Sequence, residues 1–519
     1  MIDVTGSAGA GVTPGTPGTP QRPQRPERTL LAPGLEISRL VTGLWQVADI
    51  ERCGTLIDPV QGAAELAAYA AAGFDTFDMA DHYGSAEVIT GELLSGPFSQ
   101  AGPGRQGVRA FTKWCPPPGP MTAAVVREGV QRSLDRLRVS RIDLLQFHWW
   151  TFEHPGYLDA MAEMARLREE GLIAHLGLTN FDTAHLRVLL AQGIPIASNQ
   201  VCCSLLDRRA MEQMSALCLE RGVKLLCYGT LGGGFLSERW LGAPEPEPAE
   251  VGDWSKMKYR RFIDAVGGWG ALQGVLRTAD GIALKHGVSI ANVATRWVLD
   301  QPAVAAVIVG ARLGEREHRA DNLKLFAFAL DDADRAALAV AFAATTRIPG
   351  DCGDEYRKPP FLTASGDLSH HLDALPKMWA AQPVPDMPDR QRVDSGSLWE
   401  PLAGYSRAVR VGERILVSGT TATHGSGQLV GRDDAAAQAV YILDKIAASI
   451  SALGGRLEDV VRTHVYLQDI HDWRAVSEVH GRYFGQIRPA NTLLQVAALV
   501  GEGYRVEIEA EAVLGPDRN

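Results

Sequence analysis

GFDTFDMADHYGSAE, residues 73–87, decides the fold: a short apolar run, Phe74–Ala80, ends in a cluster of polar residues where a helix-like segment begins. An apolar run of this length, followed directly by a helical pattern, is typical of a buried strand in a parallel sheet. In a parallel arrangement the polar residues after the strand lie at its carboxyl end, where functional groups collect. The rest of the chain shows how often this unit recurs.

Seven further apolar runs resemble Phe74–Ala80, and helix-like segments such as AAELAAYAAAG, residues 63–73, separate them. Eight strand–helix units in about 290 residues fit a closed (β/α)8 barrel, or TIM barrel. A doubly wound open sheet is the alternative, but no G-x-G-x-x-G follows the first run. The runs other than Phe74–Ala80 are Leu40–Val47, Val108–Trp114, Ile142–Trp149, Ala174–Phe181, Ile196–Val201, Lys224–Thr230 and Val304–Gly310.

The chain of 519 residues divides into four parts by composition. Residues 1–28 are rich in Gly, Pro and Thr and predict a disordered tail, and residues 29–346 form the α/β barrel, with a long loop over 231–287. The proline-containing stretch 347–400 is interpreted as barrel tail and linker. Residues 401–516 contain strand and helix patterns in an α+β order, which predicts a smaller second domain.

The composition excludes several classes of protein. A net charge of -10 without a long basic run argues against a nucleic-acid or anionic-membrane surface, and no apolar run is long enough for a membrane helix. Seven cysteines, an odd number without a C-x-x-C pair, indicate reduced, packed thiols and no zinc site. We therefore expect a cytoplasmic protein that holds no metal and binds small molecules.

Four polar side chains follow consecutive predicted strands and share one rim of the barrel: Asp78, Tyr83, Lys113 and His148. Each has a simpler explanation alone, such as a helix cap for Asp78 or a core position for His148. Together they fit carbonyl reduction, because a phenol is a weak acid near neutral pH and a nearby ammonium lowers its pKa. A carboxylate orients the ammonium, and an imidazole binds the carbonyl oxygen.

GFDTFDMADHYGSAE, FTKW (111–114) and DLLQFHWW (143–150) together resemble the signatures of the aldo-keto reductase family. The resemblance covers about residues 30–342. It implies that Tyr83 is the proton donor, that Lys113 and Asp78 tune it, and that His148 orients the carbonyl. It also implies that Trp45 and Trp149 are walls of the substrate pocket.

Cofactor positions follow from the same resemblance. GLTNF (177–181), ASNQV (197–201) and CYGTLGGG (227–234) resemble the family's nicotinamide-binding segments, with Gly229 and Thr230 where Ser and Pro are more usual. VIVGARLGEREHRADNL (307–323) resembles the segment that binds the adenosine end, and it predicts NADPH, with NADH as the alternative. The expected cofactor-binding residues are Thr179, Asn180, Gln200, Tyr228, Leu231, Gly233, Arg312, His318 and Asn322.

The second domain resembles the Rid family of reactive intermediate deaminases, also called YjgF-like, over about residues 402–514. GYSRAVRVGERILVSGTTA (404–422), THVYLQD (463–469) and VEIEAEAV (506–513) carry the resemblance. It implies a chorismate-mutase-like α+β fold and trimers with clefts between subunits, some members hydrolysing imines or enamines. The positions that match the cleft are Tyr405, Ser418, Asn491 and Glu507, and at Asn491 active members carry an Arg that binds the substrate carboxylate.

Three functional hypotheses remain open at this point. The first is an NADPH-dependent reductase of a carbonyl substrate, or the reverse oxidation, with the second domain serving ligand binding or trimerisation. The second is a redox sensor that binds the cofactor without turnover. The third is a bifunctional enzyme whose second domain, a deaminase with altered substrates, supplies the carbonyl to the barrel.

Overall fold

A computed structural model describes residues 25–47, 57–96, 107–247, 251, 254–357, 376–425 and 427–515 of the chain. The predicted tail, residues 1–28, lies outside these ranges except for its last four residues. Strand β1 (Arg28–Ala32) begins there and forms an antiparallel hairpin with β2 (Leu35–Ser38) that the sequence analysis did not anticipate. Its buried Leu31 and Ile37 pack at the start of the barrel strands and cover that end.

Eight parallel strands form a closed barrel, in which the last strand pairs with the first. The predicted (β/α)8 fold is confirmed, and each apolar run matches one strand, with β7 beginning one residue before its run and β8 ending one residue after its run. The strands are β3 (Leu40–Gly43), β4 (Thr76–Asp78), β5 (Arg109–Trp114), β6 (Ile142–His148), β7 (Ile173–Thr179), β8 (Ile196–Cys202), β9 (Lys224–Tyr228) and β10 (Val304–Gly310).

Helices surround the barrel, and several begin at a side-chain cap: Thr122, Asp182 and Ser289 each accept a hydrogen bond from a backbone N–H of the first turn. Among the described residues, no helix has both the length and the apolar character that a membrane crossing requires. The helices are α1 (Pro59–Ala71), α2 (Ala86–Ser95), α3 (Ala123–Leu137), α4 (Gly156–Glu169), α5 (Thr183–Ala191), α6 (Gln213–Arg221), α7 (Trp254–Ala265), α8 (Gly268–His286), α9 (Ile290–Leu299), α10 (Arg319–Lys324) and α11 (Asp332–Ala343).

The predicted loop over 231–287 contains two of these helices, α7 and α8. Apolar residues of both helices, including Phe262 and Leu272, are fully buried in one cluster with Phe235. Burial of these side chains fixes the two helices against the side of the barrel. The two helices therefore pack as part of an insertion that carries α7 to the carboxyl ends of the strands.

The second domain is a seven-stranded sheet covered on one face by two helices, which confirms the predicted α+β fold. The strands lie in the order β11-β12-β13-β14-β19-β17-β18. Its elements, with a short β15–β16 hairpin, are β11 (Gln382–Val384), β12 (Met387–Val393), α12 (Trp399–Ala403), β13 (Ala408–Val411), β14 (Arg414–Thr421), β15 (Thr423–His424), β16 (Gln428–Leu429), α13 (Ala435–Ala452), β17 (Val460–Leu467), α14 (Trp473–Phe484), β18 (Ala490–Gln495) and β19 (Val506–Val513).

The interpretation of residues 347–400 as barrel tail and linker needs correction. Residues 382–393 form β11 and β12, which extend the sheet of the second domain through pairing with β13. The turn between them places Asp386 at a φ of 62°, a left-handed conformation that Asp tolerates. Pro383 lies on β11, the edge strand of this sheet, where a missing N–H is acceptable.

The two domains meet through α13, whose outer face packs against α5 of the barrel. The buried His185 ring bridges the domains: its Nδ1 lies 2.7 Å from Asp182 Oδ1 and its Nε2 lies 2.9 Å from Asp444 Oδ2. Arg482 on α14 donates to Asp182 Oδ2 at 2.8 Å and to Asp351 Oδ2 at 3.0 Å. Burial opposes ionisation of Asp182, but Arg482 and His185 hold its pKa well below the usual range.

Arg482→Met should lower the free energy of unfolding by about 3 kcal/mol, because buried Asp182 and Asp351 lose their shared cation. Urea denaturation followed by circular dichroism measures this change. Arg474→Met is the matched control, since Arg474 lies exposed on the same helix. Equal midpoints for the two variants would contradict a stabilising role for these ion pairs.

Candidate active site

One cavity of about 670 Å³ opens at the carboxyl ends of the barrel strands. It contains the predicted tetrad, one predicted pocket wall and the predicted cofactor-binding residues, which come from separate strand ends. The predicted residues that line it are Trp45, Asp78, Tyr83, Lys113, His148, Thr179, Asn180, Gln200, Tyr228, Leu231, Gly233, Arg312, His318 and Asn322.

A buried ion pair lies at the base of this cavity. Lys113 Nζ donates to Asp78 Oδ2 at 2.5 Å and to the carbonyl oxygen of Met79 at 2.9 Å. The amides of Gln146 and Gln200 each donate to Asp78 Oδ1 at 2.8 Å. Asp78 therefore receives hydrogen bonds at both oxygens, which is the condition for a stable buried carboxylate.

Tyr83 lies directly above this ion pair. The Lys113 ammonium is 5.0 Å from the centroid of the Tyr83 ring. The ring of Trp45 meets the Tyr83 ring edge-on, with centroids 4.9 Å apart. This arrangement places a phenol beside a buried cation, where a negative charge on the phenol oxygen is stabilised.

His148 is buried at the end of β6, and its Nε2 has no hydrogen-bond partner among the described residues. Burial, and then the nearby Arg357 cation, holds the pKa of His148 well below its usual value. The ring is therefore neutral at pH 7. A neutral imidazole with a free, buried nitrogen is suited to binding an uncharged oxygen atom in the cavity.

Trp149, predicted as a wall of the substrate pocket, does not line the cavity, and the neighbouring Trp150 does. Trp149 is fully buried behind the wall, stacked on Phe147, and its indole N–H donates to the carbonyl oxygen of His154 at 2.8 Å. Side chains along a barrel strand alternate between the interior and the surrounding helices. His148 points inward, so the next residue points away from the cavity.

The wall expected to hold the nicotinamide combines an unpaired hydroxyl with a fixed amide. Thr179 Oγ1 is buried without a hydrogen-bond partner among the described residues. Asn180 has a φ of 56°, and its Oδ1 accepts a hydrogen bond from the Tyr228 hydroxyl at 2.8 Å. The amide nitrogen of Gln200 is already bonded to Asp78 and Gln146, so Gln200 helps to position the ion pair.

Gly229 stands where Ser is more usual in the segment that it resembles, and the structure gives the reason. Its φ is 75°, and a Cβ atom there would lie 2.4 Å from the Tyr259 hydroxyl. A side chain is therefore excluded on grounds of both conformation and space. The following loop keeps its backbone close to the cavity, as a bound pyrophosphate would require.

Comparison with known proteins matches residues 39–341 to the family described as aldo/keto reductase. The chain belongs to the aldo/keto reductase family. Residues 397–514 of this aldo/keto reductase match a second family, described as endoribonuclease L-PSP. The resemblance of the second domain to Rid proteins is also confirmed, because its relatives include a named imino-acid deaminase.

Three relatives show how the similarity is distributed. Flagellar radial spoke protein 5 of Chlamydomonas reinhardtii is 35% identical over 31% of this chain and 33% of its own length. Chloroplastic pyridoxal reductase of Arabidopsis thaliana is 26% identical over 59% of this chain and 84% of its own. Human 2-iminobutanoate/2-iminopropanoate deaminase is 41% identical over 22% of this chain and 83% of its own. The chain thus spans only a third of the first of these relatives.

The sequence analysis of this aldo/keto reductase missed several cavity residues, among them Lys258 and Tyr356. Lys258 comes from α7, and Tyr356 comes from the segment that follows the barrel, residues 351–357. The guanidinium of Arg357 holds this segment in place through the carbonyl oxygens of Asn180 and Trp149. The sequence GDEYR showed several polar residues in a row, but it did not single out Tyr356, and no pattern in α7 singled out Lys258.

Asp81, His82 and Cys115 also come together beside the cavity. One oxygen, nitrogen or sulfur atom from each lies within 4.8 Å of the others, a spacing that could hold a metal ion. His82 Nδ1 lies 3.0 Å from Asp81 Oδ1, so part of the cluster is joined by a hydrogen bond. The sequence expectation that the chain holds no metal stays a prediction.

In the second domain the structure brings together three of the four predicted cleft residues. Arg407 donates to the carbonyl oxygens of Ser418 and Gly419, and its guanidinium lies 5.9 Å from the centroid of the Tyr405 ring. Burial raises the pKa of the half-buried Glu507 carboxyl, and the nearby Arg407 cation opposes this rise. Within one chain, the fourth cleft residue, Asn491, lies apart from the other three.

Asn491 pairs with Thr463 on the neighbouring strand, whereas Glu507 lies in the row of Tyr466 and Leu494. The two positions are two strands apart and about 10 Å apart along the strand direction. Asn491 is also exposed. A cleft that uses all four residues would therefore need a second copy of the chain.

Proposed function

We propose that this chain reduces an aldehyde or ketone to an alcohol with a bound nicotinamide dinucleotide, or catalyses the reverse oxidation. The observation that carries the proposal is the arrangement of Tyr83 above the buried Lys113–Asp78 pair, in the same cavity as the unpaired Nε2 of His148. These groups supply a proton donor, a stabilising cation and an oxygen-binding group.

Each side chain then has a defined task. His148, with its hydrogen on Nε2, donates to the carbonyl oxygen of the substrate and orients it. The Tyr83 hydroxyl gives its proton to that oxygen as negative charge develops on it. Lys113 stabilises the phenolate that remains, and Asp78 keeps the ammonium charged and in place. The cofactor supplies the hydride when bound.

The residues of the cavity fit such a cofactor. Thr179 offers a buried hydroxyl without a partner among the described residues, and the glycine-rich loop after β9 lines the cavity, where its backbone would approach a phosphate. Arg312 and Asn322 line the far end of the cavity, where the adenosine would lie. Arg312 is the expected contact of the 2′-phosphate, and on this basis we favour NADPH over NADH.

Tyr83→Phe should lower kcat by at least about 100-fold, because it removes the proton donor and keeps the ring. Oxidation of NADPH with a panel of aldehydes measures the rate, and pyridoxal belongs in it because a relative is named for its reduction. The dissociation constant of NADPH should stay unchanged in a fluorescence titration.

Tyr466→Phe in the second domain is the matched control and should keep the wild-type rate, since its hydroxyl contacts only Glu509 there. If Tyr83→Phe reduced aldehydes as fast as the wild type, the proposed reaction would be wrong. Binding of NADPH without turnover of any aldehyde by the wild type would favour the sensor hypothesis.

Arg312→Ala should raise the dissociation constant of NADPH about 10-fold and leave that of NADH nearly unchanged, because only NADPH carries the 2′-phosphate. The two cofactors serve as each other's control in the same titration. An equal rise in both dissociation constants would mean that Arg312 contacts a part that the two cofactors share. The proposed preference for NADPH would then have no support.

We further propose that the second domain assembles copies of the chain, as trimers by analogy with its relatives. The sheet face that α13 and α14 do not cover exposes Leu416, Leu494 and Val513, each at least 38% accessible. The separation of Asn491 from the other cleft residues within one chain points the same way. The described cysteines are all free, which supports a reducing compartment such as the cytoplasm.

Leu494→Glu should shift the chain toward monomer, because it places a charge in the apolar part of this face. Sedimentation velocity measures the change. Leu284→Glu, at an exposed leucine on barrel helix α8, is the matched control and should leave the oligomeric state unchanged. A monomeric wild type would contradict the assembly proposal without affecting the reductase.

A further inference from the structure

Lys258 is a buried cation in the wall of the reductase cavity. Its side chain comes from α7 and is packed among three aromatic rings, those of Tyr228, Tyr259 and Tyr356. Its Nζ donates to the hydroxyl of Tyr356 at 2.5 Å and lies 3.4 Å from the hydroxyl of Tyr228. The ammonium and the Tyr356 hydroxyl together form one polar patch in a largely aromatic wall.

Within the described part of the chain, no carboxylate oxygen lies within 4.0 Å of Lys258 Nζ. Glu355 is the acid next to Tyr356, but its Oε2 pairs with Arg209 at 2.9 Å, and its Oε1 accepts from the Tyr228 hydroxyl. Burial lowers the pKa of Lys258, yet Tyr356 and the more distant Cys202 and Glu355 outweigh burial and raise it. The group is thus charged at neutral pH with only uncharged oxygens as direct partners.

The patch lies beside the reacting groups. The ring of Tyr356 meets that of His148 edge-on at 5.6 Å and that of Trp150 at 6.2 Å. On the other side, the Tyr228 hydroxyl that faces Lys258 also bonds to Asn180. A molecule whose carbonyl oxygen is bound by His148 would therefore have one end within reach of the patch.

We propose that Lys258, together with the Tyr356 hydroxyl, binds a carboxylate group on the substrate, so that this reductase prefers carbonyl compounds that are also acids. The inference rests on the proposed reductase function and names its substrate class. A buried ammonium without a counter-ion gains most from an anionic ligand, because water competes weakly there. Neutral substrates bind without this contribution.

The test compares 4-carboxybenzaldehyde with its uncharged methyl ester, methyl 4-formylbenzoate, at saturating NADPH. The wild type should reduce the acid with a kcat/KM about 10- to 100-fold higher than the ester, the range expected for one charge-assisted hydrogen bond. Lys258→Met should abolish this preference and keep the rate for the ester. Lys258→Arg, which retains the charge, should keep part of the preference.

Lys224→Met is the matched control, because Lys224 begins β9 at the opposite end of the barrel. It should behave as the wild type with both aldehydes. A second readout is independent of turnover. The dissociation constant of 4-carboxybenzoate in the presence of NADP, measured by quenching of tryptophan fluorescence, should rise at least about 10-fold in Lys258→Met.

The outcomes separate this inference from the function on which it rests. If the wild type reduces neither aldehyde, the proposed function fails. If the wild type reduces both aldehydes equally well, the carboxylate site is refuted and the reductase stands. If Lys258→Met instead raises the dissociation constant of NADPH and leaves the acid preference intact, the ammonium binds a cofactor phosphate, and the inference is likewise overturned.

Discussion

The buried pair of Lys113 and Asp78 is the constraint around which the barrel mouth is organised. Two charges away from water are costly unless they are paired and hydrogen-bonded, and here two amides donate to Asp78 and one backbone carbonyl accepts from Lys113. These partners come from β6, β8 and the residue after β4. The strands must therefore keep their register for the ion pair to form. The phenol of Tyr83 depends on both the strand register and the ion pair.

The sequence was sufficient for the parts of the structure that repeat or that carry a pattern. Eight apolar runs predicted eight strands, and the polar residues after three consecutive runs predicted the rim. Trp149 shows the limit of that reasoning, because alternation along β6 decides which of two adjacent tryptophans faces the cavity. Gln200 shows another limit. Its position in the sequence predicted a contact with the cofactor, whereas in the structure its amide is bonded to Asp78.

Residues from outside the repeating pattern could not be assigned in advance. Lys258 and Tyr356 are almost 100 positions apart, and only the folding of the insertion and of the segment after the barrel brings them together. Strands β11 and β12 were missed for a related reason: their prolines and charges suit an edge strand and a linker equally well. In both cases tertiary contacts, rather than local preference, decide the structure.

The position of Arg482 has a consequence for how this protein can be divided. Asp182 follows the cavity residue Asn180 by two positions, and Asp351 begins the segment that carries Tyr356 to the cavity. A shortened gene that encoded only the barrel would leave these two acids facing each other without their cation, and their repulsion would act on both walls of the pocket. The boundary between the two families in the sequence is thus not a boundary at which the working molecule can be cut.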